Sequence, residues 1–573
     1  MVSAREILQN LFSQRPPSSQ QVIIFGTVLS IGVILLAPVL AVFLEPFIGG
    51  PYNQLVAVGV IGLFYGVVCA YYKEIISGSY AGMLVFLTIS MNVPLGDSKY
   101  HLAGIGPNIW LVHIPIIILV TYGLVSEDSI QIGRPQKLFA LFIVWAGLGA
   151  ILAPGPRPDM TILFVIFAMT ALLISIIVMT AIASGKVSIT STLTTLCIAV
   201  IAHVFLGIIQ FLNRGPIGVP YLGEGAGAPA AEVSLGPIGA FYTGPFVNGL
   251  TFGGPLAVLL TLTIPIVLVF ALQKDGKERI GLLLVVCLML FVHRMSGWDA
   301  ARGGLLVALS VLLISAGGIQ WKKIRELKTV GKGAITTIGM FLILFIPSSG
   351  FGQTVRVPNV SSTESETEAD SDTGSQTEGG SSGSEASSDT GSQTADGANT
   401  PGIEGEKYLD VADFMVHLDG LNIPLFDATN LGIRVHQYVL GLDLALQYPI
   451  TGIGAANFYF VSEDIGLRTS YHLHNWYIQL LAETGVIGFS LYSGALLLIF
   501  VGTIQAILDE TDEKRALIII ATLAGTVGVL SQLMFQPQMM KMPSMFSFWA
   551  VMGVLAAYIG ITNDDLGRVS KDL

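Results

Sequence analysis

The chain has 573 residues, of which 52% are hydrophobic and only 12% are charged, and its mean hydropathy is +0.72. This composition excludes an ordinary water-soluble globular protein and is typical of a polytopic membrane protein. The formal net charge is −11, much of it from residues 361–406, which hold eleven acidic residues and no Lys or Arg. We therefore expect a solvated acidic segment and no nucleic-acid partner.

Apolar runs long enough to cross a bilayer predict an all-α polytopic integral membrane protein with about 12–14 transmembrane helices. The candidate spans are 22–44, 54–72, 77–94, 108–125, 138–153, 161–183, 190–212, 250–272, 279–293, 301–317, 333–348, 485–507, 515–535 and 542–561. Cys69, Cys197 and Cys287 all fall in these spans. Their positions predict buried thiols and argue against a disulfide framework.

The distribution of Lys and Arg predicts the orientation of the chain. With the N-terminus inside and the side alternating after each span, 18 of the 28 basic residues fall in the short inner loops. Cytoplasmic loops carry such an excess. We therefore expect a multi-pass protein of the cell membrane with both termini in the cytoplasm, and with the long segment 349–484 outside it.

The sequence divides into an N-terminal transmembrane bundle (1–348), an extracytoplasmic loop (349–484) and C-terminal transmembrane helices (485–573). Within the loop, the acidic Ser- and Gly-rich stretch at about 357–406 predicts disorder, because it cannot bury enough apolar surface to fold. Apolar residues then recur at helical spacing and predict a surface helix at about 430–448.

The segment from Tyr471 to Phe489 carries the most chemical information in the chain. It predicts a helix that begins near Asn475, with Asn475 as its N-cap and His474 at its outer mouth. A titratable side chain beside a membrane span is a candidate functional group, so His474 is our candidate catalytic base. A hydrogen-bonded interfacial histidine is the alternative. Glu483 would face away from His474 on a continuous helix.

Two arginines fall on the same predicted outer side as His474. Arg302 lies at the outer end of a predicted span, and Arg434 lies in the predicted surface helix. Guanidinium groups match phosphate oxygens and stay charged, so both are candidate clamps for a lipid-linked diphosphate. The alternatives are that the Arg302 side chain only reaches to the membrane–water interface, where its charge is solvated, and that Arg434 contacts solvent or lipid headgroups.

Several motifs together resemble the O-antigen ligase family. His474 and Asn475 are followed, after nine residues, by Gly485 and Gly488, which is similar to that family's His-containing motif. The ARGG segment around Arg302 resembles its Ser-Arg-Gly segment, and Arg434 followed by PITGIG resembles its arginine-bearing outer helix and glycine turn. GPFVNG around Asn248 resembles its asparagine-rich loop. The resemblance covers roughly residues 240–560.

The resemblance implies a metal-independent membrane glycosyltransferase without a cofactor, which transfers or polymerises a polyprenyl-(di)phosphate-linked glycan at the outer face of the membrane. It implies catalytic roles for His474, Arg302 and Arg434. Substrate-binding roles are expected for Arg302, Arg434, His472, Asn475 and Asn248. Glycan, lipid and protein acceptors all stay open, so a polysaccharide polymerase and a protein O-oligosaccharyltransferase are alternatives. The alternative from another class is a lipid or glycan transporter, although charges are scarce at mid-span.

Overall fold

The computed structural model describes a helical protein over most of the predicted spans. The described residues are 18–44, 52–72, 74–89, 92–94, 108–125, 130–213, 231–234, 240–243, 254–296, 299–320, 428–464, 473–536 and 538–569. The predicted span 333–348 and the acidic stretch at about 357–406 lie outside these ranges, as do His472 and Asn248.

The described residues form fifteen α-helices. In chain order they are α1 (Ser19–Leu44), α2 (Tyr52–Tyr72), α3 (Ile75–Phe86), α4 (His113–Val125), α5 (Arg134–Leu152), α6 (Pro158–Ala183), α7 (Ile189–Asn213), α8 (Gly254–Leu272), α9 (Gly276–Met295), α10 (Asp299–Gln320), α11 (Ala428–Gln447), α12 (Phe458–Asp464), α13 (Trp476–Asp509), α14 (Glu513–Gln532) and α15 (Met542–Val569). A short 3-10 turn, Gln538–Met540, precedes α15.

Seven of the described helices are long and apolar enough to cross a bilayer: α5, α6, α7, α8, α13, α14 and α15. Together with the shorter apolar helices, they define a polytopic integral membrane protein, as the composition predicts. Thirteen of the fourteen predicted spans coincide with a described helix for most of their length, and the fourteenth, 333–348, lies outside the described ranges. Cys69, Cys197 and Cys287 are free thiols.

The predicted spans 77–94 and 108–125 are wrong at the ends that face each other in sequence, residues 87–94 and 108–112. Helix α3 ends at Phe86 and α4 begins only at His113. Between them, the strands Asn92–Pro94 and Asn108–Trp110 pair in antiparallel register. A helix of 12 residues rises about 18 Å, which is shorter than the hydrocarbon core. A second antiparallel pair joins Ala231–Ser234 to Ala240–Thr243.

The membrane-spanning helices pack through aromatic rings and close glycine contacts. Phe139 of α5 stacks on Trp549 of α15 with ring centroids 3.7 Å apart, and Tyr492 of α13 packs edge-on against both rings. Helices α10 and α14 touch at Gly304 and Gly528, where a Cβ on either glycine would lie 2.5 Å from the other's carbonyl oxygen. Such small residues allow helix backbones to approach closely, and this contact fixes the N-terminal end of α10 against α14.

The predicted surface helix is α11, and its described side chains show two apolar faces. Leu440 and Leu444 are buried against the first part of α13, whereas Leu442 and Leu446 are 45% and 79% exposed. The helical spacing that predicts α11 runs through Leu431, Val435, Tyr438, Val439, Leu442 and Leu446, so it includes the exposed pair and omits the buried one. Packing of α11 on α13 places its N-terminal half beside the start of α13, where His474 lies.

Candidate functional site

His474 lies where three segments of the chain meet. Its backbone N–H donates to Oε1 of Gln437 on α11 over 3.2 Å, and its carbonyl accepts from the Tyr438 hydroxyl over 3.0 Å. Two residues later, the Trp476 N–H donates to the carbonyl of Leu533, just beyond α14, over 2.9 Å. The backbone of His474 is therefore held by residues far apart in sequence.

The surroundings of His474 favour its neutral form. The pKa of His474 is lowered to about 4, with burial as the largest cause and the Arg434 guanidinium as the second, while a backbone hydrogen bond at Phe535 acts in the opposite direction. Removing a cation from water and placing it near another cation both disfavour the imidazolium. The imidazole is therefore uncharged at neutral pH, which is the form that can accept a proton.

Arg434 lies on the same face of α11 as the two residues that hold His474. Gln437 and Tyr438 follow it by three and four positions, one helical turn. Arg434 is half-buried, and its charge acts on both His474 and Tyr438. The structure thus brings Arg434 and His474 together. Their roles in catalysis stay a prediction.

Arg302, the second predicted phosphate clamp, lies on a different helix. It lies in the first turns of α10, half-buried, and its charge acts on His293 of α9. His293 is fully buried, and its Nε2 lies 3.2 Å from the Thr261 hydroxyl of α8. Two residues after Arg302, Gly304 packs against the side chain of Gln532 at the end of α14. The helix that carries Arg302 thus packs against the end of α14, and a role for Arg302 beside His474 stays a prediction.

The other predicted site residues are Asn475, His472 and Asn248, and the structure describes only the first of them. Asn475 caps α13: its Oδ1 accepts from the N–H groups of Tyr477 and Ile478 over 3.0 and 3.1 Å. The predicted N-cap is confirmed, and its role in substrate binding stays a prediction. His472 and Asn248 lie outside the described residues. Among the described side chains, no group of three or more His, Cys, Asp or Glu is placed to hold a metal ion.

Glu483 anchors the glycine-rich turn after α11. The sequence alone does not indicate this contact. The Glu483 carboxylate accepts from the backbone N–H of Ala456 over 2.9 Å, from that of Phe458 over 3.2 Å and from Gln479 Nε2 over 3.1 Å. As predicted, these bonds do not involve His474. The carboxylate instead fixes the turn between α11 and α12 onto the helix that follows His474.

The same turn is tied to the N-terminal bundle through Asn457. Its Oδ1 accepts from the Arg157 N–H over 2.8 Å, and its Nδ2 donates to the Thr161 hydroxyl over 3.0 Å. Gly452, Gly454 and Ala456 have φ values of 64°, 93° and 61°. The run of glycines in PITGIGAANF indicates such a left-handed turn, but its partners come from the tertiary fold.

Helix α13 is interrupted where this turn touches it. Gly485 has φ 66° and ψ −176°, so the helix breaks between Thr484 and Val486. A Cβ at Gly485 would clash with the Ile450 carbonyl oxygen, and the Val486 N–H donates instead to the Pro449 carbonyl over 2.8 Å. The part of α13 before Gly485 therefore belongs structurally to the segment that carries α11, and the part after Gly485 to the helical bundle.

The fold and the site together define a polytopic membrane protein with a structured region on one side, built around His474 and Arg434. Residues 284–493 match the sequence profile of the family described as O-antigen ligase, so the predicted resemblance is confirmed. The matched range is narrower than the predicted 240–560. It contains Arg302, Arg434, His474, Gly485 and Gly488, and it excludes Asn248.

A curated protein also matches part of the chain. It is the exopolysaccharide production protein ExoQ of Rhizobium meliloti (strain 1021), with 26% identity over 119 residues. The match covers 18% of this chain, and this chain spans about a quarter (27%) of the length of ExoQ. Both comparisons relate the chain to membrane glycan processing.

Proposed function

We propose that this protein is a membrane glycosyltransferase that transfers a glycan from a polyprenyl-(di)phosphate carrier to an acceptor at the outer face of the membrane. The supporting observation is the pairing of a neutral imidazole, His474, with the Arg434 guanidinium inside the range that matches the O-antigen ligase family. A base and a fixed cation are the two groups that this reaction requires.

His474 serves as the general base. A sugar hydroxyl is a weak nucleophile at neutral pH, and a positioned neutral imidazole takes its proton as the oxygen attacks the anomeric carbon of the donor. The new bond joins the acceptor oxygen to the anomeric carbon, and the bond between that carbon and the phosphate oxygen breaks. Direct displacement of this kind inverts the anomeric centre. The proton on His474 then passes to solvent.

Arg434 and Arg302 stabilise the leaving group. The polyprenyl (di)phosphate gains negative charge as its bond to the sugar breaks, and guanidinium groups already in place stabilise that charge without rearrangement. Arg434 also keeps His474 neutral before the donor binds. When the anionic donor occupies the site, it offsets the Arg434 charge and raises the proton affinity of His474 at the moment when the proton must be taken.

The identity of the acceptor distinguishes the possible kinds of transferase. The family description favours transfer of a finished glycan to another molecule, and the relative's name, which refers to exopolysaccharide production, favours addition of one lipid-linked repeat to another. Transfer to a protein is a third possibility with the same chemistry. Donor, base and leaving group are common to all three.

The deciding experiment is the reconstitution of the purified full-length protein in vesicles that contain polyprenyl-diphosphate-linked oligosaccharide. We expect free polyprenyl diphosphate to appear together with a glycosylated product, identified by mass spectrometry. A ladder of lipid-linked multiples indicates a polymerase, whereas glycan on an added lipid or protein acceptor indicates a ligase or an oligosaccharyltransferase.

A transporter gives a different result in the same vesicles. It would move the lipid-linked oligosaccharide between the leaflets without releasing polyprenyl diphosphate. Movement without any new glycosidic bond would contradict the proposal.

A further inference from the structure

Gln532, the last residue of α14, carries an amide group with no internal partner. The side chain is fully buried, and neither its Oε1 nor its Nε2 makes a hydrogen bond to any residue in the described part of the chain. Burying an amide without hydrogen bonds is unfavourable, so a group of this kind in a native protein needs a functional or structural reason.

The position of Gln532 connects the two sides of the proposed site. Its Cβ lies 3.1 Å from where a Cβ on Gly304 would be, two residues from Arg302. Its own carbonyl accepts from the Phe535 N–H over 3.0 Å, and the Phe535 backbone forms a hydrogen bond with His474. Gln532 thus lies between the helix that carries Arg302 and the turn that touches His474.

Gln437 presents a second amide of the same kind. Its Oε1 accepts from the His474 N–H, but its Nε2 is buried and has no hydrogen-bond partner among the described residues. Oε1 of Gln536 and Nδ1 of His474 are likewise buried without a bond to the described chain. Neutral donors and acceptors therefore collect around His474.

The chemistry of these groups indicates their ligand. A sugar hydroxyl both donates and accepts a hydrogen bond, so it can satisfy an amide oxygen and an amide N–H in turn. A phosphate only accepts in its ionised form, and it would be repelled by the amide oxygens while it pairs with the arginines. We propose that Gln532 and Gln437 bind hydroxyl groups of the glycan that reacts at His474. This inference rests on the proposed transferase function.

The variant that tests this role is Gln532→Met, because methionine keeps the length of the side chain and removes both amide atoms. Gln437 is a poorer choice, since its Oε1 also holds the His474 backbone. Gln136→Met is the matched control. Gln136 is also fully buried with its Oε1 unpaired within the described chain, but it lies at the start of α5 and donates to Ser175.

Steady-state kinetics on the full-length protein show whether Gln532 contributes to binding of the glycan or of the diphosphate. They also show whether the affected glycan is the donor or the acceptor. We expect Gln532→Met to raise the KM for either the donor glycan or the acceptor glycan about ten-fold. Inhibition by glycan-free polyprenyl diphosphate should change by less than about two-fold. Gln136→Met should change neither quantity. Unchanged KM values for both glycans, or an equal loss of polyprenyl diphosphate inhibition, would overturn the inference.

Thermal unfolding distinguishes glycan binding from a structural role. We expect Gln532→Met to be at least as stable as the wild type, since it removes unpaired buried polar atoms. Lower stability accompanied by a parallel loss of every activity would assign the amide to the fold and overturn the proposal.

A direct binding measurement tests this inference even if no transfer product is found. The probe is the oligosaccharide released by mild acid from lipid-linked glycans of the cells that make this protein, added to detergent-solubilised full-length chain. Binding by the wild type that Gln532→Met weakens about ten-fold supports the glycan-binding role. Failure of the wild type to bind the released oligosaccharide would overturn it.

Discussion

The carboxylate of Glu483 accepts a 2.9 Å hydrogen bond from the backbone N–H of Ala456, a residue 27 positions earlier whose φ is +61°. Non-glycine residues seldom adopt this left-handed conformation unless the surrounding structure imposes it. Here the buried carboxylate holds the turn after α11 against the first half of α13. This contact connects the helix that carries Arg434 to the helix that follows His474.

Glu483→Ala should unfold more easily and lose activity. The substitution leaves two backbone N–H groups and the Gln479 amide without their acceptor, at a cost of about 2 to 4 kcal/mol in the free energy of unfolding. Glu483→Gln should lose less, because its amide oxygen still accepts. Denaturant unfolding in detergent measures both. Glu278→Ala, which removes an exposed carboxylate paired with Lys274, is the control and should change stability little. Equal stability of Glu483→Ala and wild type would contradict this role.

Gly485→Ala should be strongly destabilising. The φ of +66° disfavours any side chain, and the new methyl group would clash with the Ile450 carbonyl oxygen. The same helix offers a control at Gly494, where a Cβ would meet only the Leu138 side chain at 3.5 Å. Gly494→Ala should be neutral or stabilising by up to about 1 kcal/mol. If both variants melt at the same temperature, the break in α13 does not require glycine.

The pH dependence of transfer should report the surroundings of His474. The free enzyme loses its base below a pKa of about 4, so kcat/KM should stay level from neutrality down to that region and then fall. Arg434→Ala should move the fall to higher pH, because the guanidinium lowers this pKa. The fall in kcat should lie above that in kcat/KM, since bound phosphate favours the imidazolium. Initial-rate profiles measure all three. A wild-type fall centred near pH 6.5 that Arg434→Ala leaves in place would argue against the pairing.

Arg302→Lys should be nearly as inactive as Arg302→Ala if the guanidinium grips a phosphate through two parallel hydrogen bonds. A loss of about 100-fold in kcat is expected for either variant. Arg279, which pairs with Asp275 on the predicted cytoplasmic side, provides the control, and Arg279→Lys should transfer glycan at the wild-type rate. Full activity in Arg302→Lys would instead indicate that the side chain only places a charge at the interface.

The sequence predicts the membrane fold well where one helix fills one apolar run. The exceptions, 77–94 and 108–125, show why hydropathy is insufficient, because each three-residue strand contains only one asparagine and is apolar enough on average to extend the neighbouring run. Their antiparallel pairing depends on two segments that are distant in sequence. A hydropathy window reads one segment at a time, so it assigns both to helices.

The candidate site also has features that the sequence predicts and features that only the fold reveals. The N-cap at Asn475 is local and follows from residue type. The proximity of Arg434 to His474 was expected only through family resemblance, because 40 residues separate them. Glu483 and Gln532 were missed as functional residues. A lone carboxylate or amide in an apolar helix has no spacing pattern, and only the fold reveals the hydrogen bonds that it makes or lacks.

The most direct test of the account is the rate of glycan transfer by His474→Gln in vesicles that hold equal amounts of variant and wild-type protein. Glutamine can keep hydrogen bonds but cannot take a proton at neutral pH. If His474 is the catalytic base, the variant should bind polyprenyl diphosphate as the wild type does and should lose about 100-fold or more in kcat. Transfer at the wild-type rate by His474→Gln would contradict the assignment of His474 as the catalytic base.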